Sequence, residues 1–333
     1  MILENGGGEI AAQIRGIADL LKTKKRIAVL PHNTADGDTL GSCLAVCIAL
    51  QKLDKDVSLI YEEIFPESLS ILNTGHSFFT YLPEVMGIGD RRWDAVAVLD
   101  VADPKLLGKR GELLKHTDCV INLDHHVSNF KFGHYNLIDA KASATAEIAY
   151  RLIAALGVPL DRDMALAIYT GICTDTGGFS YSNTSAESHK IAAITLEFGI
   201  DVEHLRYKFF DAITIGKLHC HGYVANTLRL YENGRYAIAV VSIATLEEIG
   251  ATEADCEGLV NIGRNIVGVE VSLFAREIRP NEFRINLRSR GDTDVAEIAR
   301  KFNGGGHKLA AGCTISAAPD DIETILLRAL LPE

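Results

Sequence analysis

Apolar positions in the first half of the chain follow two rhythms. Between residues 9 and 23, Ile10, Ile14, Ile17, Leu20 and Leu21 recur at helical spacing and predict a helix with one buried stripe. The next run, Ile27-Ala-Val-Leu-Pro, is short, continuous and bounded by polar residues, as expected of a strand covered on both faces. Runs of this kind predict strands at 26–30, 56–61, 94–100 and 119–123, with a helix beginning at about Thr39. The alternation implies right-handed crossovers and a mostly parallel sheet flanked by helices.

Residues 143–210 read as mainly helical, with segments near 144–156, 161–174, 185–198 and 201–210. After about residue 216 the pattern changes. A helical stretch to about 231 leads to strands near 235–242, 266–276 and 281–288, and helices near 294–301 and 319–331. The expectation is an α/β protein of two unequal domains, a larger one at 1–210 and a smaller α/β one at 217–333, joined by a helical connector.

Composition narrows the class only a little. With 47% hydrophobic and 23% charged residues in a chain of 333, a sizeable core is available. Seven cysteines lie scattered in apolar segments without CxxC pairs, which fits reduced thiols in a cytoplasmic protein. The N-terminal residues lack a basic-then-apolar leader pattern, and no run reaches membrane-spanning length, so neither export nor a membrane partner is expected. A formal charge of −11 argues against a broad face for long nucleic acid. It leaves small phosphorylated substrates open, because a bound divalent cation reverses the local sign.

Candidate chemistry sits where the strands end. The first run leads into His32-Asn-Thr-Ala-Asp36-Gly-Asp38, another into Asp100, and a third into Asp124-His125-His126; Thr174-Asp175-Thr-Gly adds a fourth cluster. In open parallel sheets ligands collect beyond the carboxyl ends of the strands, so these clusters should meet in one cleft. Each alone has an ordinary explanation: Asp-Gly-Asp as a turn, His-His as a solvated pair, a single Asp as a helix cap. Together, this many carboxylates would repel one another without a shared cation, and imidazole with carboxylate suits Mn²⁺, Fe²⁺ or Zn²⁺. No phosphate-binding GxxxxGK[ST] loop, strand-linked GxGxxG, HExxH or GxSxG is present. Hydrolysis by metal-bound water is the strongest case.

In the second domain Asn303-Gly304-Gly305-Gly306-His307 reads as an anion nest with an added imidazole donor, and Arg288-Ser289-Arg290 closes a strand nearby. Arg276, Arg279 and Arg284 read instead as an exposed strand face of alternating charge.

These four ordered motifs and the C-terminal Gly-Gly-Gly-His resemble the DHH phosphoesterase family with its DHH-associated C-terminal domain. One departure is Ala35, where many members carry Pro before the first Asp; it touches loop rigidity, not ligand chemistry. Length and layout are most similar to the group of bifunctional oligoribonucleases and PAP phosphatases. The resemblance implies two divalent ions, Mn²⁺, with His32 and Asp36 on one, Asp38, His125 and Asp175 on the other, and Asp100 bridging. It implies His126 as the catalytic residue at the scissile phosphate, oriented with help from Asp124. Arg288, Ser289, Gly304, Gly305, Gly306 and His307 would bind the substrate's terminal phosphate, with the second domain closing over very short substrates. Expected substrates are short RNA or DNA oligonucleotides, linear dinucleotides of the pApA type and adenosine 3′,5′-bisphosphate; a homodimer is compatible with the resemblance. A pyrophosphatase or exopolyphosphatase using the same site is the alternative, and an inactive nucleotide-binding regulator a third reading that the intact ligand set disfavours.

Overall fold

The structure, a computed structural model, describes residues 8–62, 67–73, 75–82 and 92–331. Residues 1–7, part of the leader reading, and most of the irregular stretch before residue 92 lie outside the described residues. The chain forms two compact units, Met1–Asp211 and Ala212–Glu333.

Unit 1 is built on strands β1 (Arg26–Leu30), β2 (Asp56–Tyr61), β3 (Phe79–Tyr81), β4 (Ala95–Leu99), β5 (Val120–Asp124) and β6 (Tyr135–Ile138). They lie in the order β3-β2-β1-β4-β5-β6, every pairing parallel. Strand order reverses between β1 and β4, the position where open α/β sheets place their ligands. Alternate side chains of β1 enter two cores: Ile27 and Val29 pack with the helices, Ala28 and Leu30 with Val96, Val98 and Leu107 on the opposite face. This two-sided burial explains the continuous apolar run.

The helical face carries α1 (Gly8–Thr23), α2 (Gly37–Lys52), α3 (Thr145–Leu156), α4 (Arg162–Asp175) and α5 (Ala186–Leu196). Residues 37–50 of α2 are buried all round, which accounts for an apolar sequence without a polar face. Gly41 makes this possible: a Cβ there would sit 2.3 Å from the Ala167 carbonyl oxygen of α4. Strands β3 and β6 were not foreseen, being only 3 and 4 residues long and mostly half-exposed. The helix expected over 201–210 is a short α6 (Val202–Arg206) continued by a π-turn, Tyr207–Asp211.

Unit 2 contains α7 (Ile215–Thr227), β7 (Arg229–Tyr231), β8 (Tyr236–Val241), α8 (Ile243–Glu248), α9 (Val260–Arg264), β9 (Val271–Arg279), β10 (Glu282–Ser289), α10 (Val295–Arg300), β11 (Gly305–His307), β12 (Ala310–Ser316) and α11 (Pro319–Leu330). Its mixed sheet runs β11-β12-β10-β9-β8-β7, with only β8 and β9 parallel. The expected helical stretch to 231 stops at Thr227 and turns into β7, and the hairpin β11–β12 was not foreseen. All seven cysteines are buried and unpaired. Among the described residues no helix is long and apolar enough to cross a membrane.

Candidate metal centre

Asp36 ends the loop after β1 and caps α2. Its Oδ1 accepts from the backbone N–H groups of Asp38 (3.1 Å) and Thr39 (3.0 Å) and from the Thr39 hydroxyl (3.0 Å). Asp38, in the first turn of α2, is 1% exposed and turns its carboxylate to α3, accepting from Thr145 N–H (2.6 Å) and Ala146 N–H (2.8 Å). The N-cap residue of α3, Ala144, offers no capping side chain, so Asp38 satisfies that helix start from more than a hundred residues away. Gly171 of α4 leaves room for this; a Cβ there would lie 2.9 Å from Asp38 Oδ1.

Asp100 follows β4 with φ 61°, a left-handed conformation that few non-glycine residues adopt and that clusters at functional sites. Its two oxygens accept from the hydroxyls of Thr39 (2.6 Å) and Thr145 (3.0 Å), bracing it between α2 and α3. Asp124 closes β5. One of its oxygens accepts from His125 N–H (2.8 Å) and takes His126 Nδ1 at 2.7 Å, while the other accepts from Asn129 Nδ2 (2.6 Å). With Nδ1 committed, the half-exposed His126 has Nε2 left for a ligand. Asp175, at the end of α4, is held by Asn183 Nδ2 (3.1 Å).

The four sequence clusters therefore meet. His125 Nε2 lies 3.9 Å from Asp38, 3.8 Å from Asp100 and 3.7 Å from Asp175; His32 Nε2 lies 3.9 Å from Asp100, and His126 Nδ1 3.7 Å from it. Three sets of donor atoms, each within 4.8 Å of one another, have metal-site dimensions: His32/Asp36/Asp100, Asp38/His125/Asp175 and Asp100/Asp124/His125/His126. Asp100 is common to the first and third sets, His125 to the second and third.

Electrostatics point the same way. Burial, with neighbouring Asp100 and Asp175, pushes the Asp38 carboxyl well above the usual carboxylate range, and burial raises Asp100 and Asp175 too. Three carboxyls raised together call for a compensating positive charge, and the oxygen and imidazole donors suit a divalent transition metal. The Asp124 hydrogen bond raises His126 to about 9, favouring a protonated ring.

Sequence reasoning passed over Thr39, Thr145, Asn129 and Asn183, which hold the acids in place. Thr39 and Asn129 sit within three residues of the motifs; Thr145 and Asn183 carry no sequence signal, because only the fold brings them to their acids.

In unit 2 the glycine run is drawn into the sheet edge. Gly305–His307 is an exposed edge strand paired with β12, Gly305 opposite Gly312 and His307 opposite Ala310. Gly306, at φ 144°, is required by this pairing, since a Cβ would lie 2.5 Å from the Ala310 carbonyl oxygen. Gly304 packs equally tightly on Gly312. Arg288 is half-buried and donates to Leu287 O (3.0 Å); the Ser289 hydroxyl is buried without a hydrogen-bond partner among the described residues. The arginines read as an exposed face divide: Arg279 is exposed, whereas Arg276 is largely covered and paired with Glu253, and it lines a cavity of about 560 Å³ with Arg279, Arg284 and Asn286.

A doubly wound sheet with this His/Asp constellation at its switch point defines a metal-site phosphoesterase of the DHH class. The chain belongs to that family: the DHH family N-terminal domain matches residues 26–172, and the DHHA1 domain residues 233–330. It is similar to the bifunctional oligoribonuclease and PAP phosphatase NrnA of Thermus thermophilus, 32% identical across 91% of this chain and 88% of that one. The protein of the same name from Mycoplasma genitalium is 29% identical across 89% and 90%. Among solved structures, an exopolyphosphatase-related protein from Bacteroides fragilis superposes with a TM-score of 0.83 at 27% identity, covering 96% of this chain and 95% of that one.

Proposed function

We propose that this chain hydrolyses very short oligonucleotides, such as pApA-type dinucleotides and nanoRNA, and removes the 3′-phosphate of adenosine 3′,5′-bisphosphate. The reading rests on one observation above all: donor sets that share Asp100 and His125 at the carboxyl ends of β1, β4 and β5. The oligoribonuclease and PAP phosphatase names of relatives matched along nearly the whole chain support the substrate class.

In this reading His32 and Asp36 hold one divalent ion, Asp38, His125 and Asp175 the second, and Asp100 lies between them. Bound Mn²⁺ ions would supply Lewis acidity and a water acidified to near neutrality. The chain's own groups do the rest. Asp124 and Asn129 fix the ring of His126, whose imidazolium offsets charge on the phosphoryl oxygens and gives a proton to the leaving oxygen. Thr39 and Thr145 keep Asp100 oriented between the two donor sets. Arg288, Ser289 and the segment Gly304 to His307 bind the terminal phosphate.

The exopolyphosphatase-related structure favours a second reading, hydrolysis of pyrophosphate or polyphosphate on the same site. A Mn²⁺ hydrolysis panel separates the two: pApA, RNAs of increasing length, adenosine 3′,5′-bisphosphate, a cyclic dinucleotide, pyrophosphate and polyphosphate. The expected outcome is fastest turnover of pApA and the bisphosphate, with a steep fall as RNA lengthens. Dominant pyrophosphate or polyphosphate turnover would establish the second reading instead.

A further inference from the structure

We propose that Arg264 is a phosphate-binding residue that acts with Arg288, and that this pair of guanidiniums selects a terminal phosphomonoester over a phosphodiester. The proposal rests on the phosphoesterase reading above and names a residue that no motif pointed to.

Register places the parts. Across four strands of the unit 2 sheet, His307 lies opposite Ala310, Ala310 opposite Arg288, and Arg288 opposite Ser272. Residues directly opposite in an antiparallel ladder share a face, and neighbouring strands are about 4.8 Å apart. His307 and Arg288 thus flank the small side chain of Ala310 on one face of the sheet. Ser272, the next in the row, donates its hydroxyl to Val260 O (2.8 Å) of α9, which packs on β9 and β10. Arg264 is the last residue of that helix, and the adjoining Asn265 takes Arg290 Nη2 at 3.5 Å, tying the helix end to the end of β10.

Charge is left uncompensated here. Among the described residues the Arg264 Nε is buried without a hydrogen-bond partner, and Arg288 makes only the bond to Leu287 O. Burial and the Arg264 charge both hold Arg288 below the usual arginine range. Nearby carboxylates are committed elsewhere, Glu270 to Arg235 (2.7 Å) and Asp292 to Lys308 (3.6 Å). Two guanidiniums close enough to repel cost stability unless an anion joins them, and a forked donor matches phosphate geometry. A phosphomonoester carries about −1.5 to −2 charges at pH 7, a phosphodiester a single one, so two arginines discriminate between them.

The test uses full-length protein and Arg264→Gln and Arg264→Lys. Calorimetry on metal-stripped protein compares AMP, adenosine and inorganic phosphate, and kinetics with Mn²⁺ compare a 5′-phosphorylated dinucleotide with the same dinucleotide lacking the phosphate. Expected for Arg264→Gln are roughly tenfold weaker AMP binding with adenosine unaffected, a matching loss of KM preference for the phosphorylated substrate, and little change in kcat. Arg264→Lys should recover part of the loss. Without phosphate, Arg264→Gln should melt no lower than wild type, and the stabilisation of wild type by inorganic phosphate should shrink. Unchanged AMP binding and KM ratio in a folded variant would overturn the proposal, as would a collapse in Tm, which marks a structural arginine. Loss of AMP binding in a protein that turns over no oligonucleotide would sink the substrate reading and leave this one standing.

Discussion

At the scale of single residues, the aspartates of the candidate centre divide between holding a cation and holding a helix or a ring. Asp100, braced by Thr39 and Thr145 and common to two donor sets, should be the least replaceable. Asp100→Ala is expected to lose both tight metal binding and activity; elemental analysis showing the metal content of the unmutated protein would contradict this. His126→Ala should keep the fold and most of the metal while turnover falls about 10²- to 10⁴-fold, the range for removing a general acid. Unchanged turnover at saturating Mn²⁺ would remove His126 from the chemistry. The residue types named from the motifs do converge in space, yet the groups orienting them were not readable. Thr145 reaches Asp38 and Asp100 only because α3 starts beside α2.

At the scale of elements, the packing of α2 against α3 and α4 decides whether the acids meet. Gly41→Ala would force a Cβ to within 2.3 Å of a backbone oxygen of α4, which cannot withdraw without moving the helix. A loss of about 1–3 kcal/mol is expected, read as a lower Tm of the metal-free protein, with weaker metal binding as α2 shifts Asp38. An unchanged Tm would show that the helices can separate freely. Strand β1 is anchored differently: Asp94 accepts from Arg26 N–H (2.9 Å) and Lys25 N–H (3.0 Å), and these bonds hold its carboxyl below the ordinary value. A carboxyl depressed on folding stabilises at pH above its unfolded value, and that contribution is lost as pH falls through the folded value. Asp94→Asn should therefore lower Tm at pH 7 and flatten the decline of Tm between about pH 5 and 3; parallel pH profiles for the two proteins would refute this. Long apolar runs and amphipathic helices were legible in the sequence because their signal repeats over many residues. Strands β3, β6 and β11 were not, because three or four residues carry too little periodicity and pairing with a neighbour creates them.

At the scale of the whole molecule, the two units carry different proposed tasks, metal binding at the donor sets of unit 1 and phosphate recognition in unit 2. Since every donor of the three candidate sets found among the described residues belongs to unit 1, residues 1–211 produced alone should bind divalent metal with the stoichiometry of the full chain while discriminating poorly between phosphorylated and unphosphorylated dinucleotides. Loss of metal from a folded 1–211 fragment would show that the centre needs unit 2. The amino-acid sequence by itself determined the fold class, the longer strands and helices and the candidate metal-type side chains, because each follows from local periodicity and from acids and imidazoles placed at strand ends. Only the tertiary structure decided which threonine or asparagine orients which acid, that Asp38 caps a distant helix, that the glycine run pairs as an edge strand, and that Arg264 lies beside Arg288. These are relations between residues far apart in the chain, set by close helix packing and sheet register, and no stretch of sequence read locally contains them.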